Sequence, residues 1–401
     1  MLSDTSRPVI EATLPVVGEH ISEIATRFYA HMFEDRPELM DGLFNRGNQA
    51  DGRQQQALAG SVAAFAGMLV NTPDQIPDHL MSRISHKHVS LGLRADQYQV
   101  VHEHLMWAIV DVLGDAVTPE VAAAWDEVYW LMANLLINQE RNMYAAANLL
   151  PDTVWRTWRV TEKIQETDDV VTFIVERTDE RDVKPSLPGQ YVTLKALMPD
   201  GVHQPRQYSL TQADDGLHRQ FSVKRVHDLE GPDGEVSNLL HSTVGVGDEV
   251  VLSAPFGDVV LQPGGRPVVF ASAGIGITPM AGMISHLAQA ASNRSVTLLH
   301  ADNSASSFAL QGQVRADLSR LREGSLISWF MEPTPGQPLG QEFAGFMNLT
   351  SLELPVDAEY YLCGPLPFMQ SVRSALIARD VPAKDIQYEV FGPDLWLADF
   401  Q

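Results

Sequence analysis

The run Arg206-Gln207-Tyr208-Ser209-Leu210 brings a guanidinium, a phenol and a hydroxyl onto one short stretch. On a strand, Arg206 and Tyr208 share a face while Ser209 lies on the other side or at the strand's end. A strand with a polar edge is the plain reading of such a run, and an anion-binding strand is the other. The second gains from Gly234-Glu235-Val236-Ser237, which precedes a helical stretch, Asn238 to Ser242, and so offers a helix N-terminus to phosphate oxygens. A further device of this kind is Ala273-Gly274-Ile275-Gly276-Ile277-Thr278-Pro279. A continuous apolar run, Pro267 to Ala271, feeds it, and a helical pattern, Pro279 to Ala290, leaves it. Thr278 is placed to cap that helix, Pro279 suits its first turn, and the glycines let backbone N–H groups approach a diphosphate. Leu362-Cys363-Gly364-Pro365 answers this loop far downstream.

The first third of the chain holds a different chemistry. Met81, Ile84, His88 and Leu91 form one helical stripe, so His88 projects from an apolar face, whereas His86 lies about 200° away. A lone histidine there is ordinarily a satisfied core residue; a metal ligand is the alternative. The next stripe, Tyr98, Val101, Leu105 and Ile109, and the last, Met132, Leu136, Glu140 and Met143, each carry one polar group. A buried carboxylate needs a partner, and an imidazole N–H supplies one. Tyr29 falls in register with Ala25, Met32 and Phe33, and Gln54 with Leu58, Ser61 and Phe65. Of the consecutive Gln54, Gln55 and Gln56, helical geometry turns one inward, and the stripe selects Gln54. Tyr29 and Gln54 are thus two hydrogen-bond donors over a pocket.

These groups need three kinds of scaffold. At 401 residues the chain is too long for one core. Up to Pro151-Asp152, apolar residues recur at three and four and prolines fall at segment ends, which predicts an all-helical unit. Arg156 to Ile164, Val170 to Glu176, Gln190 to Lys195, Phe221 to Val226 and Glu249 to Ala254 then predict a small antiparallel barrel. Beyond Pro267, strands at Val268 to Ala271, Val296 to His300, Leu326 to Met331, Glu359 to Cys363 and Ile386 to Val390 alternate with helices, the pattern of a parallel doubly wound sheet. The expected domains are 1–150, all-α; 151–262, an antiparallel β-barrel; and 263–401, α/β. Lys and Arg total 28 against 51 Asp and Glu, a formal charge of −23, which disfavours nucleic acid and anionic membrane as partners. A single cysteine, Cys363, excludes an internal disulfide, and Met1 to Pro8 has no secretory leader pattern, so a cytoplasmic protein is expected.

The barrel and nucleotide motifs resemble the ferredoxin-reductase family. The resemblance implies FAD binding, with Arg206 neutralising the pyrophosphate, Tyr208 against the isoalloxazine and Ser209 near its N5. Tyr191, Gln207 and Ser237 join them as flavin-binding positions. Gly274, Ile275, Gly276, Ile277, Thr278 and Pro279 become the nucleotide loop, and Cys363 borders the nicotinamide. Glu389, Val390, Phe391, Gly392 and Pro393 become the stretch that closes over the flavin. Cys363 would pack there without thiol chemistry, since hydride transfer needs no nucleophile. Ala301 to Val314 contains no Lys or Arg and Asp302 is acidic, which favours NADH over NADPH.

The helical unit resembles a globin. That likeness implies His88 as proximal ligand of a haem b iron, Tyr29 and Gln54 as distal residues, Phe44 against the porphyrin and Lys87 near the propionates. Glu140 and Tyr98 would polarise the His88 imidazole. The whole chain, including Arg27-Phe28-Tyr29, His86-Lys87-His88, Ile137-Asn138-Gln139-Glu140 and Phe391-Gly392-Pro393, resembles the flavohaemoglobins. His86 stands where that family often has glutamine, and Arg53 where it is often acidic or variable. The implied activity is nitric oxide dioxygenation, NO and O2 becoming nitrate with electrons passed from NAD(P)H through FAD to haem, in a monomer. Two other classes fit the same parts. One is a general reductase acting on hydroperoxides, ferric complexes or quinones; the other is an oxygen or NO sensor, which the missing DNA-binding motif and basic patch disfavour.

Overall fold

The computed structural model describes residues 1–50, 52–73, 78–227, 233–332, 341–355 and 357–392. Its contacts gather into two compact units, residues 1–155 with 195–206 and Gly392, and residues 156–194 with 207–391.

The first unit is built on helices α1 (Ser6–Asp35), α2 (Arg46–Ala50), α3 (Arg53–Asn71), α4 (Asp78–Leu91), α5 (Gln97–Leu113) and α6 (Pro119–Ala147). Pro15 lies inside α1, against the expectation that prolines mark segment ends. It removes one helical hydrogen bond, but the helix runs on because Ile10, Val17 and Ile24 are buried on either side of it, and α1 packs on α3, α5 and α6. Helix α6 starts where pattern predicts: Thr118 accepts the Val121 N–H at 3.3 Å and Pro119 opens the first turn. Phe28, Met32, Phe65, Met81, Ala108 and Leu136 share the core. Among the described residues, no helix is long and apolar enough to cross a membrane.

The second architecture is a six-stranded sheet of β1 (Trp155–Thr167), β2 (Val170–Arg177), β3 (Tyr191–Leu197), β4 (His203–Ser209), β5 (His218–Lys224) and, after α7 (Glu235–Ser242), β6 (Glu249–Ser253). The order is β4-β3-β6-β1-β2-β5, with β2 antiparallel to both β1 and β5. Leu210, directly after β4, bridges to Phe221 of β5, and the Thr211 N–H reaches Gln220 O at 2.9 Å, so the two edges meet and the barrel closes.

The third element group is β7 (Val268–Ala273), α8 (Ile277–Gln289), β8 (Val296–Asp302), α9 (Gln311–Arg320), β9 (Gly324–Phe330), β10 (Gln341–Ala344), β11 (Glu359–Cys363), α10 (Leu366–Ile377) and β12 (Ile386–Glu389). All strand pairs in the order β10-β9-β8-β7-β11-β12 are parallel. The order reverses between β7 and β11, the switch point where such sheets bind ligands. Strand β10 was not expected: a short, largely exposed edge strand has no apolar run to betray it. Barrel and parallel sheet are joined through α8 and α9. Ser285 Oγ accepts the Ala213 N–H at 3.1 Å, and the Gln313 amide donates to Thr211 O at 2.6 Å.

Candidate functional site

His88 lies in the last turn of α4. Its Nδ1 is 2.8 Å from Glu140 Oε1 and 3.0 Å from the Tyr98 hydroxyl, which itself donates to the same Glu140 oxygen at 2.6 Å. Glu140 is 3% exposed, and two donors on one oxygen are what a buried carboxylate requires. Because a carboxylate only accepts, Nδ1 carries the ring proton and Nε2 keeps its lone pair. Burial, reinforced by the Glu140 charge, pushes the Tyr98 phenol far above its ordinary value, so it stays a donor. Two more phenols brace the trio: Tyr129 donates to Tyr98 O at 2.5 Å and Tyr144 to Leu93 O at 2.8 Å.

Tyr29 of α1 is 5% exposed and accepts a hydrogen bond from the Gln54 amide at 3.4 Å. Gln55 instead turns to Gln49, and Gln56 is exposed. Phe44 and Phe33 surround the phenol, with ring centroids 5.9 and 5.7 Å from it. Burial raises the Tyr29 pKa to about 12, the Gln54 hydrogen bond opposing it weakly. Lys87 is half-buried on α4 beside His88. A lone pair on an oriented imidazole, a neutral phenol with an amide, and an aromatic ring are a donor set that fits a planar iron-bearing group.

On β4, the Tyr208 ring stacks on Phe221 with centroids 5.5 Å apart, Gln207 reaches Thr193 Oγ1 at 3.4 Å, and Ser209 is buried at the strand's end. The Arg206 guanidinium donates to Pro205 O at 2.8 Å. Tyr191 opens β3 and its backbone pairs with Phe256. Helix α7 begins at Glu235 rather than Asn238, because extended Gly234 releases an acidic first turn into the helix. Ser237 therefore lies inside that turn, its hydroxyl accepting the Val226 N–H at 3.1 Å and donating to Gly234 O at 3.0 Å.

The glycine loop makes one 3-10 turn, Gly274–Gly276, and α8 starts at once at Ile277. Thr278 consequently does not cap: one residue too far along, its hydroxyl donates back to Ile275 O at 2.9 Å. Pro279 does sit in the first turn. No side chain caps this N-terminus; the Ile277 N–H turns back to Gly274 O, and Pro279 has no N–H to offer. Gly274 has φ +53°, Ile275 is half-buried and Ile277 fully buried. A Cβ on Gly276 would stand 2.3 Å from Cys363 O, the backbone ending β11. Gly276→Ala is therefore expected to cost about 1–3 kcal/mol of stability and to raise the KM for NADH, measured by ferricyanide reduction beside a melting curve.

Cys363 is fully buried, and burial, with Glu389 nearby, pushes its thiol well up, so it packs rather than reacts. Glu389 ends β12, Val390 follows half-buried, Phe391 is exposed and Gly392 has φ +112°; Pro393 lies outside the described residues. One network was not read from sequence. Ser272 Oγ lies 2.9 Å from the fully buried His300 Nδ1, whose Nε2 faces Asp302 at 3.4 Å, and Asp302 accepts from Ser307 Oγ at 2.6 Å. Its signal was two polar residues two apart on a buried parallel strand.

Three family models match in chain order: Globin over residues 26–136, Oxidoreductase FAD-binding domain over 157–260 and Oxidoreductase NAD-binding domain over 270–374. The flavohaemoprotein of Chromobacterium violaceum is 40% identical over 402 residues, covering 98% of this chain and 98% of its own. The chain belongs to the flavohaemoprotein family. That of Rhizobium meliloti is 36% identical, covering 99% of this chain and 100% of its own. The crystal structure of the Malassezia yamatoensis flavohaemoglobin with bound FAD and haem superimposes with a TM-score of 0.89 at 37% identity, covering 98% of this chain and 100% of that one. The FAD/NAD-binding domain of the Vibrio cholerae nitric oxide dioxygenase matches at a TM-score of 0.55 and 36% identity, over 59% of this chain and 99% of that one. As a flavohaemoprotein, the chain is an oxidoreductase whose cofactors are haem, FAD and a nicotinamide dinucleotide.

Proposed function

We propose that this flavohaemoprotein is a nitric oxide dioxygenase. Two NO and two O2 take the two electrons of one NAD(P)H and leave as two nitrates, with NAD(P)+ and a proton. When bound, haem supplies a one-electron iron centre with an open position, and FAD divides the nicotinamide's hydride into single electrons. His88 is the residue proposed to hold the iron through Nε2, with Phe44 against the ring and Lys87 near its carboxylates. Arg206, Gln207, Tyr208, Ser209, Tyr191 and Ser237 would hold the flavin, and the Gly274–Pro279 loop the dinucleotide. Asp302 and the lack of any Lys or Arg between residues 301 and 314 support NADH as the preferred donor. The proposed domain limits are 1–150, 151–262 and 263–401, and the proposed setting is the cytoplasm.

The observation that carries this reading is the buried carboxylate on the His88 Nδ1–H. Glu140 holds negative charge against the imidazole, making it a stronger donor than one bonded to a carbonyl, which suits redox turnover over reversible storage. Tyr29, whose pKa burial raises to about 12, is neutral across the physiological range and offers its O–H to a diatomic ligand. Glu140→Gln is expected to lower NO-dependent nitrate formation about 10- to 100-fold while flavin reduction by NADH is unchanged. Stopped-flow spectroscopy with NADH, O2 and a pulse of NO separates the two steps. Undiminished nitrate formation in that variant would remove the proposed role of the carboxylate. NADH consumption without nitrate in the unmodified protein would favour the general reductase.

A further inference from the structure

Two segments far apart in sequence meet within the first compact unit. One, residues 41–46, joins the 3-10 turn Pro37–Met40 to α2 and contains Phe44. The other, residues 195–206, is the end of β3, its turn and the beginning of β4, the strand that runs on into Gln207, Tyr208 and Ser209. Asp41 Oδ1 accepts both the backbone N–H of His203, at 2.7 Å, and its ring Nδ1, at 2.9 Å. In return the Gly42 N–H donates to His203 O at 2.9 Å. Next along, the Arg46 backbone N–H donates to Gln204 Oε1 at 2.9 Å, and the Arg46 guanidinium pairs with Asp200. Lys195 closes the end, its ammonium 4.3 Å from the centroid of the Trp155 ring.

Exposed ion pairs of this sort contribute little singly. What distinguishes this set is its register. The Gly42 N–H bonds the carbonyl of the same residue whose N–H Asp41 Oδ1 grips, and Gly42 adopts φ +79°, where a Cβ would lie 3.0 Å from Lys195 Cε. A one-residue slip would break every one of these bonds. The His203 backbone N–H, and after it the imidazole, hold the Asp41 carboxyl below the usual carboxylate range.

We propose that Asp41, Arg46 and His203 form a clasp whose purpose is electron delivery: it ties the strand leading into the flavin motif to the segment carrying Phe44, and passage of electrons from flavin to haem depends on it. The inference rests on the flavohaemoprotein reading above. Asp41 and His203 are positioning residues, since neither is among the groups proposed to touch flavin, haem or substrate. A step that requires two groups to be held in place is sensitive to small misplacement of either, whereas hydride transfer from NADH to flavin does not involve residues 41–46.

The test uses full-length protein loaded with both cofactors, in the Asp41→Ala and Asp41→Asn forms. Hydrogen exchange at the Gly42 and Arg46 amides reports the clasp itself, and stopped-flow spectroscopy reports flavin and haem reduction separately. Asp41→Ala is expected to speed exchange at both amides, leave flavin reduction by NADH unaltered and slow haem reduction about tenfold or more. Asp41→Asn keeps an acceptor for the His203 N–H and should fall between. Faster amide exchange with an unchanged rate of haem reduction would show a purely structural contact and overturn the proposal, as would unchanged exchange. If the unmodified protein passed no electrons from NADH to haem, the family-based reading would fall first, and the clasp's role with it.

Discussion

A His88→Ala variant is expected to reduce its flavin with NADH at the normal rate yet lose NO consumption by at least ~10²-fold, more than loss of an outer partner costs. The reasoning is geometric. Nδ1 is committed to Glu140 and Tyr98, so Nε2 is the one ring nitrogen left to bind iron. Removing the ring also takes one of two donors from a buried carboxylate, so the helical unit should lose about 1–3 kcal/mol of stability. Soret absorbance per flavin, nitrate per NADH and ferricyanide reduction distinguish the outcomes. Retained haem with full NO turnover would show that another residue ligates the iron.

The His88–Tyr98–Glu140 trio was legible because polar residues on otherwise apolar stripes have few reasons to be there. His88, Tyr98 and Glu140 come from three helices, and each stripe by itself allowed a plain explanation; only together do they satisfy one another. Periodicity likewise separates Gln54 from its two neighbours, since adjacent residues on a helix diverge by about 100°. Thr278 and Ser237 show where such reasoning weakens. Both are cap-type residues at helix starts, but the backbone entered the helix earlier than composition suggested, at Ile277 and Glu235, leaving both hydroxyls inside the first turn. Asp41 and His203 carry no local signal at all. Their pairing spans 162 positions, neither lies on a periodic face, and the strand that presents His203 contains a proline. Contacts between loops and hairpin ends follow from the folded path, not from any pattern a short window contains.

Tyr29→Phe is expected to raise the rate of O2 release roughly 10- to 150-fold, the equivalent of losing about 1.5–3 kcal/mol from a hydrogen bond to a partly charged acceptor. The Gln54 amide donates to the Tyr29 oxygen, which occupies its acceptor side and leaves the phenolic proton for the ligand. Because burial raises the pKa from 10 to about 12, that proton is present across the neutral range, and the release rate should be flat with pH until the alkaline limb. The same shift sets a stability trend of definite sign. The folded form retains the proton that the unfolded chain surrenders near pH 10, so the contribution is complete below pH 10 and is lost as pH rises towards 12. Gln54→Leu decides how the pair divides the work. If Gln54 acts only by orienting the phenol, the substitution accelerates release in the unmodified protein and does nothing further once Tyr29 is Phe. If the amide donates to the ligand itself, it accelerates release in both backgrounds, and the cycle of four proteins yields the coupling directly. Unaltered O2 release in Tyr29→Phe would reduce Tyr29 to a packing residue of the Phe28–Phe33–Phe44 cluster.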